Sequence, residues 1–194
     1  YREWNAEDET ALYTIEFGNG DNLEVPAEWE TGFPHVQYAD LDNDGNSEIL
    51  FTLSYDTSTD PWSFGDLWLF DKDPDTGLYK EVDLPLVKGE NGAKGLTIEY
   101  DAPEGNTVSY SIPSCAYSSV ASIDEEYLKN WWTTEAFTED RYIYWATPVD
   151  VIDPKIHCLL APFHRGGLSI GFDLLRENGE YVIANISEET PDFP

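Results

Sequence analysis

The chain has 194 residues, long enough for one domain with a substantial core. Its 39 acidic residues against 10 basic ones leave a net charge of −29, a field that repels phosphate backbones and anionic lipid surfaces and attracts cations. That excludes nucleic acid as a partner, and no apolar run reaches the roughly 20 residues of a membrane span.

In chain order, the first ten residues are polar and acidic and read as a loose segment. Alternation over residues 11–17 predicts a strand, a Gly/Asn turn follows at 18–22, and 23–25 return. Residues 26–34 read as a loop carrying Trp29. Residues 36–39 and 48–55 form a hairpin around an acidic loop, and 56–65 read as a polar loop holding Pro61 and Trp62. A strand at 66–70, an Asp-rich turn at 71–77 and a returning strand at 78–82 come next. Residues 95–100 and 107–112 make another hairpin around a 103–106 turn. Ser122 with Glu125 three residues on is a capping box, and predicts a helix from Ile123 to about Trp132. Strands follow at 142–146, 155–161 and 168–175, and the last pairs with 181–186 through Asn178-Gly179, the strongest short hairpin signal. Residues 188–194 form a polar tail. About a dozen short strands at hairpin spacing, with one or two short helices, predict a single all-β domain of antiparallel hairpins. Propeller-like small sheets are the first expectation for it and a two-sheet sandwich the second; a division near residue 115 stays open.

The most informative stretch is residues 40–48: Asp40, Asp42 and Asp44 at alternate positions, Gly45, then Asn46 and Glu48. Ca²⁺ takes six to eight hard oxygen ligands in a flexible geometry. Alternate residues of a tight loop can point inward together, and Gly45 lets the backbone turn sharply. The expected ligands are the side chains of Asp40, Asp42, Asp44 and Glu48 with the Asn46 carbonyl. Four acids within nine residues would otherwise repel one another. An EF-hand would place its last acid at the twelfth position and continue as a helix. Here the acid falls at the ninth, and Ile49-Leu50-Phe51-Thr52-Leu53 continues as a strand.

Residues 36–50 resemble the FG-GAP/VCBS-type repeat, in which a D-x-D-x-D-G-x-x-[DE] loop sits within a β-hairpin. The resemblance covers about one repeat, residues 33–82. Such repeats occur in integrin α-subunit propellers and in many secreted bacterial proteins, and the likeness over the whole chain is to uncharacterised secreted or lipid-anchored bacterial proteins. It implies a bound Ca²⁺ and an extracellular or cell-surface location. The absence of methionine, at position 1 as elsewhere, agrees with a processed chain whose signal or lipid-anchor segment has been removed.

The remaining chemistry is weaker. Residues 71–77 lack a downstream acid and contain Lys72 and Pro74, so they read as a turn. His35, His157 and His164 form no metal spacing, and no nucleophile–base or phosphate-loop signature is present. His157 and Cys158 are adjacent in a strand and face opposite sides. Cys115 and Cys158, 43 positions apart, are either a disulfide, worth about 3–4 kcal/mol by loop entropy, or two free thiols in the core. Among the loop aromatics Trp62 is the candidate for stacking on a sugar ring. The sequence thus points to a non-catalytic calcium-binding β-domain in adhesion or extracellular binding, with a glycan or a surface protein as its partner. A carbohydrate-active binding or hydrolytic module and a structural envelope module are the alternatives.

Overall fold

The computed structural model describes residues 2–5, 10–18, 20–27, 33–57, 60–88, 94–101, 104–123, 125–126, 141–145, 149–152, 154–163 and 168–189. Among the described residues the fold is all-β: four antiparallel sheets, none closed into a barrel. The first sheet orders β1 (Arg2–Asn5), β2 (Thr10–Glu16) and β3 (Asn22–Ala27). The second runs β4 (Phe33–Ala39), β5 (Glu48–Thr57), β6 (Asp60–Lys72), β7 (Tyr79–Glu81). The third is built from β8 (Val87–Lys88), β9 (Lys94–Tyr100), β10 (Thr107–Ile112), β11 (Tyr117–Ser122) and β12 (Arg141–Trp145), in the order β11-β10-β9-β12 with β8 also on β9. The fourth runs β13 (Val149–Ile152), β14 (Lys155–Phe163), β15 (Leu168–Glu177), β16 (Glu180–Glu189). Four separate small sheets match the propeller-like expectation rather than the two-sheet sandwich.

The second sheet is buried on both faces, and the side-chain parity of β5 and β6 shows how. Cross-strand pairs share a face of the sheet. Ile49–Phe70 and Phe51–Trp68 point one way and pack with Tyr13, Leu23 and Val25 of the first sheet. Leu50–Leu69 and the Leu67 opposite Thr52 point the other way. They join the main core, where Leu96 and Ile98 of the third sheet meet Ile156, Phe172 and Leu174 of the fourth. This is why β5 reads as an almost unbroken apolar run rather than an alternating one.

Several sequence expectations shift. The loop expected at 56–65 is strand on both sides, because β5 reaches Thr57 and β6 begins at Asp60. Tyr55, Thr57, Trp62 and Phe64 are strand-favouring residues. Pro61 falls where the register shifts between Tyr55 and Thr57, so the missing N–H breaks no regular ladder. Pro26 and Pro34 are likewise accommodated because β3 and β4 are edge strands. Part of the expected loose N-terminal segment pairs as β1, and β16 extends into the expected tail as far as Glu189. Ser122, the expected N-cap, ends β11, and Ile123, the expected first helical residue, is a buried non-helical residue whose N–H donates to the Asn106 carbonyl; Glu125 and Glu126 are helical, and 124 and 127–132 lie outside the described residues. The Asn178-Gly179 hairpin is as expected, with φ of 52° and 89° and Glu177 paired to Glu180.

Of the two readings of the cysteines the structure has the second: Cys115 and Cys158 are free thiols. Cys158 points from β14 into the main core, whereas Cys115 closes a short 3-10 turn (Pro113–Cys115) at the margin of that core. The two therefore act as small apolar side chains on different sheets.

Candidate metal centre

The acidic loop joins β4 to β5 and is pinned at both ends. Leu41 is buried in the main core, so the loop folds inward rather than standing off as a flap. Its backbone N–H donates to Glu48 Oε2 at 2.5 Å, closing the loop on its own last acid. Asn43 (φ 61°) and Gly45 (φ 89°) provide the left-handed positions that fold the chain back between them.

Three of the expected ligands meet. Asp40, Asp42 and Glu48 each offer an oxygen, and these atoms lie within 4.8 Å of one another. Two oxygens on opposite sides of a Ca²⁺ at about 2.3–2.6 Å stand about 5 Å apart, so the spacing suits that ion. Asp44 is turned away from the group: its Oδ1 accepts the Asn46 backbone N–H at 2.7 Å, and its Oδ2 accepts the Asn46 amide at 3.0 Å. The Asn46 N–H holds the Asp44 carboxyl below the usual aspartate range. To reach an ion beside Asp40 and Asp42, Asp44 has to exchange Asn46 for the metal. Asp40 braces the turn from below, accepting the Asp44 and Gly45 N–H groups at 3.1 Å each.

Glu48 is the unusual member. It is only 1 % exposed, and its Oε1 has no hydrogen-bond partner. Burial raises its pKa, and the neighbouring charges of Asp42 and Asp71 push it further the same way, against the Leu41 hydrogen bond. A buried carboxylate with one oxygen unsatisfied costs free energy unless a cation or donor meets it. The donor set consists of carboxylates, with no imidazole or thiolate, which suits a hard ion rather than zinc.

Two neighbours lie outside the sequence motif. Arg176, on β15 of the fourth sheet, places Nη1 3.2 Å from Asp71 Oδ2 and Nη2 3.6 Å from Asp42 Oδ2. Its guanidinium lies 5.5 Å from the ring centroid of Tyr181, its cross-strand partner. Asp71 opens the second acidic string but belongs to β6 rather than to the turn. The rest of that string is a turn, as expected. Asp73 Oδ1 accepts the Asp75 and Thr76 N–H groups, Gly77 takes a φ of 69°, and Lys80 caps the Asp73 carboxylate.

The other candidates separate. Trp62 stands on β6, with its side chain outside the described set, and His164, Trp29, Trp131 and Trp132 lie outside the described residues. His157 places Nδ1 2.9 Å from Asp173 Oδ1 and Nε2 3.4 Å from Glu189 Oε2, on the face opposite Cys158. Complete burial drives the Cys158 thiol far above its usual pKa, as for a thiol packed in the core. Compared with known proteins, the chain matches no family model, no curated protein and no solved structure.

Proposed function

We propose that this chain is a calcium-binding β-domain of the extracellular or cell-surface kind, non-catalytic, acting in adhesion or binding outside the cell. The observation that carries the reading is the buried Glu48, whose Oε1 has no partner and whose carboxylate offers an oxygen within 4.8 Å of oxygens of Asp40 and Asp42. The loop's resemblance to FG-GAP/VCBS-type repeats and the net charge of −29 support it. In this reading Asp40, Asp42, Glu48 and a rotated Asp44 hold the ion with the Asn46 carbonyl. The ion neutralises charges that the loop otherwise confines together. Binding to the folded state alone stabilises by about 2.7 kcal/mol at a hundredfold excess over Kd. Titration calorimetry with CaCl2 should show one site, a chelator should lower the melting temperature, and Asp42→Ala should remove that sensitivity. Wild type indifferent to millimolar Ca²⁺ and to chelator sinks the reading.

One observation favours glycan as the bound partner. A cavity of about 510 Å³ opens beside the loop, lined by polar Asp42, Asn43, Arg176, Glu177 and Asn178 and by apolar residues including Leu175. Amide, carboxylate and guanidinium groups beside apolar side chains suit the hydroxyls and C–H faces of a sugar. A glycan-binding screen with and without Ca²⁺ separates this from a protein partner.

A further inference from the structure

We propose that Asp71, on β6 and outside the loop, belongs to the same cation site and holds an ion-bound water through its Oδ1; this rests on the calcium reading above. The β5–β6 ladder pairs Ile49 with Phe70 and Leu50 with Leu69. Glu48 and Asp71 are the next residues along these two strands, on the face of Leu50 and Leu69, and the charge of Asp71 acts on Glu48. Like charges close together on one face of a sheet are destabilising. The fold nevertheless places two carboxylates there, at the rim of the main core. Both keep a buried oxygen without a partner: Oε1 of Glu48 and Oδ1 of Asp71.

The rest of Asp71 is fixed. Its Oδ2 receives Arg176 Nη1, and the same guanidinium reaches Asp42. Lys80, the Asp71 partner on the β7 side, is engaged with Asp73. The free oxygen of Asp71 is therefore oriented by its strand and by Arg176. The close group of ligand atoms comprises Asp40, Asp42 and Glu48 without Asp71, while one guanidinium, Arg176, reaches both Asp42 and Asp71; in the proposal Asp71 therefore acts from behind the ligands. Calcium sites commonly retain water, and a bridging water satisfies an acceptor nearly as well as a direct bond. Asp71 is thus a positioning residue for the ion: it fixes the water, and Arg176 balances the extra negative charge that it brings.

The test compares Ca²⁺ affinity by calorimetry for wild type, Asp71→Asn and Asp75→Asn. The last removes an exposed acid a few residues away and controls for overall charge. Groups in the layer behind metal ligands typically change metal affinity by about 10–100-fold, so Asp71→Asn should weaken binding by at least about tenfold. Asp75→Asn should stay close to wild type, and Asp71→Glu should recover part of the loss. Equal affinity for Asp71→Asn and wild type, or an equal loss in Asp75→Asn, overturns the assignment while leaving the calcium reading intact. Wild type that binds no Ca²⁺ overturns both. A crystal structure of the wild-type chain grown in CaCl2 decides the point even if a variant fails to fold. A water joining the ion to Asp71 Oδ1 supports the assignment, and its absence overturns it.

Discussion

Gly45 has a φ of 89° and no heavy atom within 4 Å of where a Cβ would stand, so the loop needs its backbone freedom and not its small size. Gly45→Ala should therefore destabilise the fold by about 1–2 kcal/mol through left-handed strain alone. Denaturant midpoints with and without Ca²⁺ check this, and a loss far above that range would mean an overlap that the structure does not contain. Asp40, Asp42, Gly45 and Glu48 were legible in the sequence because their relation is local and follows from spacing in one tight turn. Asp71 and Arg176 were not. Asp71 reaches the site through the register of a neighbouring strand, and Arg176 arrives from 105 positions beyond it. The turn of Asp44 away from the ligand group and toward Asn46 was also hidden, because side-chain choice between a metal and an amide is not written in the spacing.

Strand-level features divide in the same way. Hairpins closed by short turns with glycine at positive φ, such as 177–180 and 104–107, were readable, since the turn chemistry sits in the turn itself. The strands around Pro61 were not, because an edge position or a register shift can make proline harmless and neither is visible locally. The fourth sheet carries a polar cluster of its own. Asp173 is nearly buried and accepts hydrogen bonds from Lys155 Nζ at 2.7 Å and Asn185 Nδ2 at 2.8 Å, with His157 Nδ1 at 2.9 Å. Burial alone would raise its pKa; the bonds from Lys155, Asn185 and His157 outweigh burial and hold it below the ordinary aspartate value. A folded pKa below the unfolded one gives stability that is present above about pH 4 and lost as pH falls through the folded value. Asp173→Asn should cost about 2 kcal/mol at pH 7, with the gap to wild type closing toward pH 3. Urea melts at the two pH values measure it; a gap that does not vary with pH contradicts the assignment.

For the whole molecule, −29 charges on 194 residues oppose compaction. Screening shortens the reach of that repulsion, from about 30 Å at 0.01 M salt to about 10 Å at 0.1 M. The melting temperature in chelator should accordingly rise with NaCl, and part of the rise should vanish once Ca²⁺ is bound. A melting temperature that is flat or falling with salt would show that paired charges, such as those at Arg176 and Asp173, outweigh the net field.

Each of the four sheets is made from one unbroken stretch of chain: β1–β3, β4–β7, β8–β12 and β13–β16. Apart from β9 and β12, paired strands are neighbours in the chain, and the loop-closure entropy of most ladders is that of a hairpin. A fold assembled this way has a lower contact order than a Greek-key sandwich of equal length, in which strands must wait for distant partners. The ladders can form sheet by sheet, and the slow step becomes the docking of finished sheets on the two faces of the second. The acidic loop lies on that central sheet, so an ion captured there early would stiffen the piece on which the others must land.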